Sequence, residues 1–144
     1  MHVLIIPGEN LTEDNQFNSI FEVHQARALK AANLQVGFIS ISIVESVLQF
    51  IKRTIFKGAF LSFFEEKIGK TCYQSISQIP LIVRETKYLF PSFLGMGEYE
   101  KIETGVRAYK AYVKIHGKPD LIHAHSRFLI SALIAEKIKK RYSV

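Results

Sequence analysis

Residues 2–41 alternate in a way that few folds accept: an apolar run, a polar loop, an amphipathic stretch and a second apolar run. His2–Ile6 is the form of a strand covered on both faces. Pro7-Gly8-Glu9-Asn10 ends it, and a polar loop continues to Asn18. Ser19 then stands as N-cap of a helix, with Glu22 three residues on to complete a capping box. The expected apolar stripe is Phe21, the aliphatic stem of Gln25, Ala28, Leu29 and Ala32. Asn33 can take the left-handed conformation that stops the helix. Leu34–Ile41, rich in Val, Phe and Ile, reads as the second buried strand. Strand, helix and strand in this span make a βαβ unit, so the two strands should be parallel with a right-handed crossover.

The alternation continues. In Ile43–Gly69, Val44, Val47, Leu48, Ile51 and Ile55 recur at helical spacing, and Phe56, Phe60, Phe63 and Phe64 widen the apolar surface. Ile79–Val83 is a third strand, with Pro80 favouring its start or a sheet edge. Leu89–Gly97 reads as a loop. Glu98–His116 is a helix with Ile102, Val106, Tyr109 and Val113 on one face, ended by Gly117 and Pro119. Asp120–Ala124 is the fourth strand. Ser126 should cap a last helix whose Ile130, Leu133, Ile134 and Ile138 point inward. The fold class is α/β: a Rossmann-like parallel sheet with helices on both faces, in strand order 3-2-1-4. The sequence closes just after a helix, where the alternation calls for another strand, so the 144 residues are expected to be one domain of a longer, truncated chain. The outermost fourth strand would then offer its edge to a second copy, giving a homodimer.

Composition narrows the function classes. Hydrophobic residues make up 48% and charged residues 22%, too apolar for a disordered chain. No apolar run reaches the roughly 18 residues of a membrane span, the first residues lack a secretory-signal pattern, and the single cysteine has no internal disulfide partner. A cytoplasmic location is the simplest reading. The net charge of +6 is concentrated late: residues 98–144 hold ten Lys/Arg against five Asp/Glu. No groove-reading or base-stacking motif accompanies it, so nucleic acid is not an expected partner. Lys52, Arg53 and Lys57 beside the phenylalanines at 56–64 leave two readings open: these phenylalanines belong to the core, or they form an interfacial patch that would place the protein at the inner face of a membrane.

The residues most able to carry chemistry close the fourth strand. In Lys118-Pro-Asp-Leu-Ile-His-Ala-His-Ser-Arg127, His123 and His125 are two apart and share one face of a strand. They stand at the carboxyl end of the sheet, where open α/β folds gather ligands, and the rings are expected to emerge into an open crevice. Two histidines fall short of the three or four ligands of a zinc site, so no metal is expected. The first loop offers a second candidate, since free N–H groups before a helix favour anions. It contains one glycine, Gly8, and lacks a dinucleotide or phosphate-loop signature. Glu9, Glu13 and Asp14 make it acidic, which suits a hydroxyl-rich ligand.

Two segments carry a family resemblance. Asn-Ser-Ile-Phe-Glu-Val-His-Gln-Ala-Arg-Ala-Leu (Asn18–Leu29), following a strand that ends in Ile-Pro, resembles the opening of family-four glycosyltransferases of the GT-B fold. So does Pro-Asp-Leu-Ile-His-Ala-His-Ser (Pro119–Ser126). The resemblance implies a retaining transferase that uses a nucleotide-sugar as substrate and no other cofactor. Two Rossmann-like domains would face each other across a cleft. The N-terminal one, represented here, would receive a sugar or lipid-linked acceptor, and a C-terminal one would bind the donor. The family histidine that approaches the donor sugar is best matched by His125, the catalytic candidate, with His123 second. Ser126, Arg127, Asn18 and Ser19 are the further substrate-binding candidates. Ser19 stands where the family usually has a glycine contacting donor phosphate. By the same reasoning this chain alone would not turn over. The competing class is a non-catalytic α/β module that binds a ligand or protein at the same strand ends.

Overall fold

The apolar runs that bracket the first forty residues lie side by side, as a single helical crossover between them requires. The computed structural model, which describes residues 1–16, 19–45, 70–87, 96–125 and 129–144, places β1 (His2–Ile6) parallel to β2 (Gln35–Glu45). Between them runs α1 (Ile20–Ala31), which Asn33 follows at φ 61°. On the other side of β1 lies β5 (Leu121–Ala124), also parallel, with Ile5 opposite His123 and Ile6 opposite Ala124.

The far half of the sheet departs from the expected four parallel strands. Thr71–Ile76 forms β3, which the sequence reading did not contain, and it pairs antiparallel with β4 (Ile79–Lys87). Ser77 and Gln78, both at positive φ, make the two-residue turn between them, as the right-handed twist of a hairpin demands. Among the described residues the sheet is therefore mixed and five-stranded, in order β3-β4-β2-β1-β5. Its parallel part keeps the expected order, and β5 is an edge. Pro80 sits near the start of β4, beside its hairpin partner Ser75. The second strand runs on through Glu45, so Ile43–Glu45 are strand and not the start of a helix; the rest of 43–69, with its phenylalanines and basic residues, lies outside the described residues.

α2 (Met96–His116) begins two residues before Glu98, and α3 (Ile130–Tyr142) closes the chain. The two faces of the sheet bury separate cores. Val3, Ile5, Val36, Phe38, Leu81 and Val83 meet Val23 and Ala26 of α1. Leu4, Ile6, Ile39 and Ile82 meet Val106, Tyr109 and Tyr112 of α2 and Ile134 and Ile138 of α3. Helices thus cover both faces, an α/β arrangement compatible with a Rossmann-like fold. Two glycines let the second layer close: a Cβ on Gly37 would collide with the Tyr112 ring, and one on Gly105 with Ile134.

α1 presents a different face from the one its sequence suggests. Phe21 is 81% exposed, while Glu22, Val23 and Ala26 are buried. The capping box is also absent. Ser19 occupies the N-cap without a side-chain cap bond, and Glu22 accepts the Gly8 N–H at 3.4 Å. At the other end of α1, Arg27 Nε donates to Ser77 Oγ at 2.9 Å, and Lys30 Nζ donates to the Ser77 and Gln78 carbonyls.

Part of the late positive charge is consumed between helices. Glu103 of α2 accepts Lys137 at 2.5 Å and Arg141 at 3.0 Å from α3, and Lys140 pairs with Glu136. The Lys137 hydrogen bond, then that of Arg141, hold the Glu103 carboxyl below its ordinary value.

Candidate functional site

β1 is the strand at which the sheet changes direction: the chain leaves it toward β2 and later returns on its other side as β5. Strand ends at such a switch point diverge and leave room for a ligand. Its residues come from β5, from the loop after β1 and from α1. The His125 N–H donates to the Ile6 carbonyl at 2.9 Å, extending the β1–β5 pairing one residue past the strand. His123 and His125 consequently stay on one face, and their rings stack with centroids 4.4 Å apart at 21°. That face is the α1 side. Gln25 of α1 reaches both rings, its Nε2 3.1 Å from His123 Nδ1 and its Oε1 2.7 Å from His125 Nε2. Burial, and then the charge of His125, hold His123 below the ordinary imidazole value.

Both histidines are half-buried. A hollow at the same end of the sheet is lined by other residues. That cavity, about 350 Å³, lies on the other face, beneath α2 and α3. Ile6, Ile39 and Ile134 form part of its apolar lining, and Glu9, Lys101 and Ser131 part of its polar lining. Burial depresses the Lys101 amine. One contact joins the two sides: Ser131 Oγ donates to the His125 carbonyl.

The other expected site residues fare differently. Ser19 is fully buried at the start of α1, and among the described residues its hydroxyl has no hydrogen-bond partner. It is not an exposed contact. Asn18, Ser126 and Arg127 lie outside the described residues. Ser126 is not the cap of the last helix, because Leu129, at φ 61°, holds that position. Gln25 is the residue that sequence reasoning missed. It sits one turn after Phe21, the i,i+4 spacing that puts two side chains on neighbouring surface, so an exposed phenyl ring lies along α1 from the clamped pair.

None of the described helices is long and apolar enough to cross a membrane. Among the described residues no group of three or more His, Cys, Asp or Glu is placed to hold a metal. Comparison with protein families, with curated proteins and with solved structures gives no match.

Proposed function

We propose that the chain is the acceptor-side domain of a retaining glycosyltransferase of the GT-B kind, part of a longer protein whose second domain supplies the nucleotide-sugar. The observation that carries the reading is the stacked His123–His125 pair, half-buried at the carboxyl end of β5 beside the strand where the sheet changes direction. An imidazole so placed can accept or donate a hydrogen bond to a sugar hydroxyl. Phe21 adds the second element of a carbohydrate site. Its ring is exposed, and the C–H face of a pyranose packs on the electron-rich face of an aromatic ring. His125, at the end of the strand, is the residue that meets the reacting sugar. His123 supports it from within the sheet.

The reading is tested by titrating the 144-residue chain with mono- and oligosaccharides, and separately with nucleotide-sugars, while the His123, His125 and Phe21 ring signals are followed by NMR. Saccharides should shift all three at millimolar concentration, and nucleotide-sugars should add little beyond their sugar. Phe21→Ala should weaken saccharide binding by about tenfold, the 1.4 kcal/mol of one good aromatic contact. No saccharide-induced shift at any of the three rings would overturn the reading. Binding of an unrelated ligand class at the same rings would instead favour the non-catalytic module.

A further inference from the structure

The single amide that faces two imidazoles does more than hold them in place. A carboxamide has one oxygen that only accepts and one nitrogen that only donates. Gln25 turns its nitrogen to His123 Nδ1 and its oxygen to His125 Nε2. For both bonds to exist, Nδ1 of His123 must carry a lone pair and Nε2 of His125 must carry a proton. His123 is then the neutral Nε2–H tautomer, while His125 keeps Nδ1 as its variable atom.

We infer that Gln25 is a positioning residue that fixes both tautomers and limits the pair to one added proton. The neutral pair carries two N–H protons. A third can enter at His125 Nδ1, which faces away from the amide, and turns that ring into an imidazolium with its Gln25 bond intact. A fourth would have to enter at His123 Nδ1, where it would point at the amide N–H₂ and break the clamp. The stacking adds to the restriction, because two imidazolium rings 4.4 Å apart repel. Among the described residues, Gln25 is the side chain that meets both rings. On α1, the Glu22 carboxylate accepts the Gly8 N–H, and His24 is exposed to solvent. β1 brings only apolar side chains at this end; its one ionisable group, His2, lies at the strand's opposite end. The loop after β1 carries Glu9, Glu13 and Asp14, and α3 contributes the Ser131 hydroxyl to the His125 carbonyl. Among described groups, His125 is the one whose charge bears on His123.

The chemical consequence, which rests on the proposed function only for its use, is a site that always presents one lone pair or one N–H at His125 Nδ1. A hydroxyl-bearing ligand therefore meets a ring of fixed orientation whose partner cannot compete for the proton.

Histidine-ring ¹⁵N–¹H correlation spectra of the labelled 144-residue chain read the tautomers directly and need no sugar. At mildly alkaline pH both rings should show the Nε2–H pattern, with Nδ1 of His123 in the pyridine-like region. On acidification His123 Nδ1 should stay in the pyridine-like region for as long as its Gln25 bond persists. Gln25→Leu, checked for folding by its amide spectrum, should scramble the His123 pattern into a tautomer mixture and let both rings charge. Gln25→Glu, whose carboxylate accepts from both rings, should switch His123 to the Nδ1–H form. Tautomer mixtures or an Nδ1–H form already in the parent chain, or a pattern indifferent to both substitutions, would overturn the inference. Failure of saccharide binding would leave these spectra unchanged, so the two ideas fall separately.

Discussion

At the amino end of the parallel strands, His2 is buried with its Nε2 2.7 Å from the Tyr112 hydroxyl, and its backbone N–H donates to Asp120 at 2.7 Å. At the carboxyl end, His123 and His125 stand half-buried against an amide. Both clusters hold an imidazole by one hydrogen bond from a helix. They differ in what holds it. Burial raises the Tyr112 phenol above its ordinary value, and its ring fills the space that Gly37 leaves open. That end is a packing device whose polar atoms are satisfied internally. The Gln25 amide holds two half-buried residues, so its cluster can exchange hydrogen bonds with a ligand. Burial separates a histidine that stabilises the fold from one that can act.

The largest expected effect is at the amino end. Tyr112→Ala removes a fully buried ring and should cost about 4 kcal/mol in urea unfolding. Tyr112→Phe keeps the ring and orphans His2 Nε2, at about 2 kcal/mol. Gly37→Ala forces the same ring aside and should cost about as much, by overpacking. If Tyr112→Phe proves milder than Gln25→Leu, the contrast between the two ends is lost.

Acid should expose both clusters. His2 and His123 are each held below the ordinary imidazole value, chiefly by burial. Below about pH 6.5 the unfolded chain therefore binds protons that the folded chain refuses, and stability falls with pH until the folded-state values are reached. Above that window these groups contribute no slope. Urea midpoints measured from neutral to mildly acidic pH should fall on this branch, and His2→Asn and His123→Asn should each flatten it. An unchanged slope in both variants would break the argument. The smallest stability effect is that of Gln25→Leu, about 1 kcal/mol or less, with the change appearing in the ring spectra instead.

The contrast was unevenly legible in the sequence. β1, β2 and β5 are apolar enough to identify, and α2 shows its buried face through Val106 and Tyr109. The hairpin was not. Thr71–Ile76 is an edge strand whose Thr-Cys-Tyr-Gln-Ser side chains are all at least partly exposed, so it lacks apolar alternation. Its turn, Ser77-Gln78, adopts positive φ without the glycine or asparagine that marks such turns. α1 was misphased because Phe21 counts as core in any hydrophobic pattern, while Glu22 is carried inward by its bond to Gly8. That error hid Gln25: an amide between two rings has no one-dimensional signature, whereas the histidines announce themselves by type and spacing.

α1 is moored at both extremities, to the first loop through Glu22 and to the hairpin turn through Arg27 and Lys30. A helix tethered this way behaves as a strut, and the amide midway along it has little freedom to roll. Any ligand or protein that tugged on the hairpin tip would pull on the same strut, so an event at the remote rim of the sheet would be felt at the imidazoles without touching them.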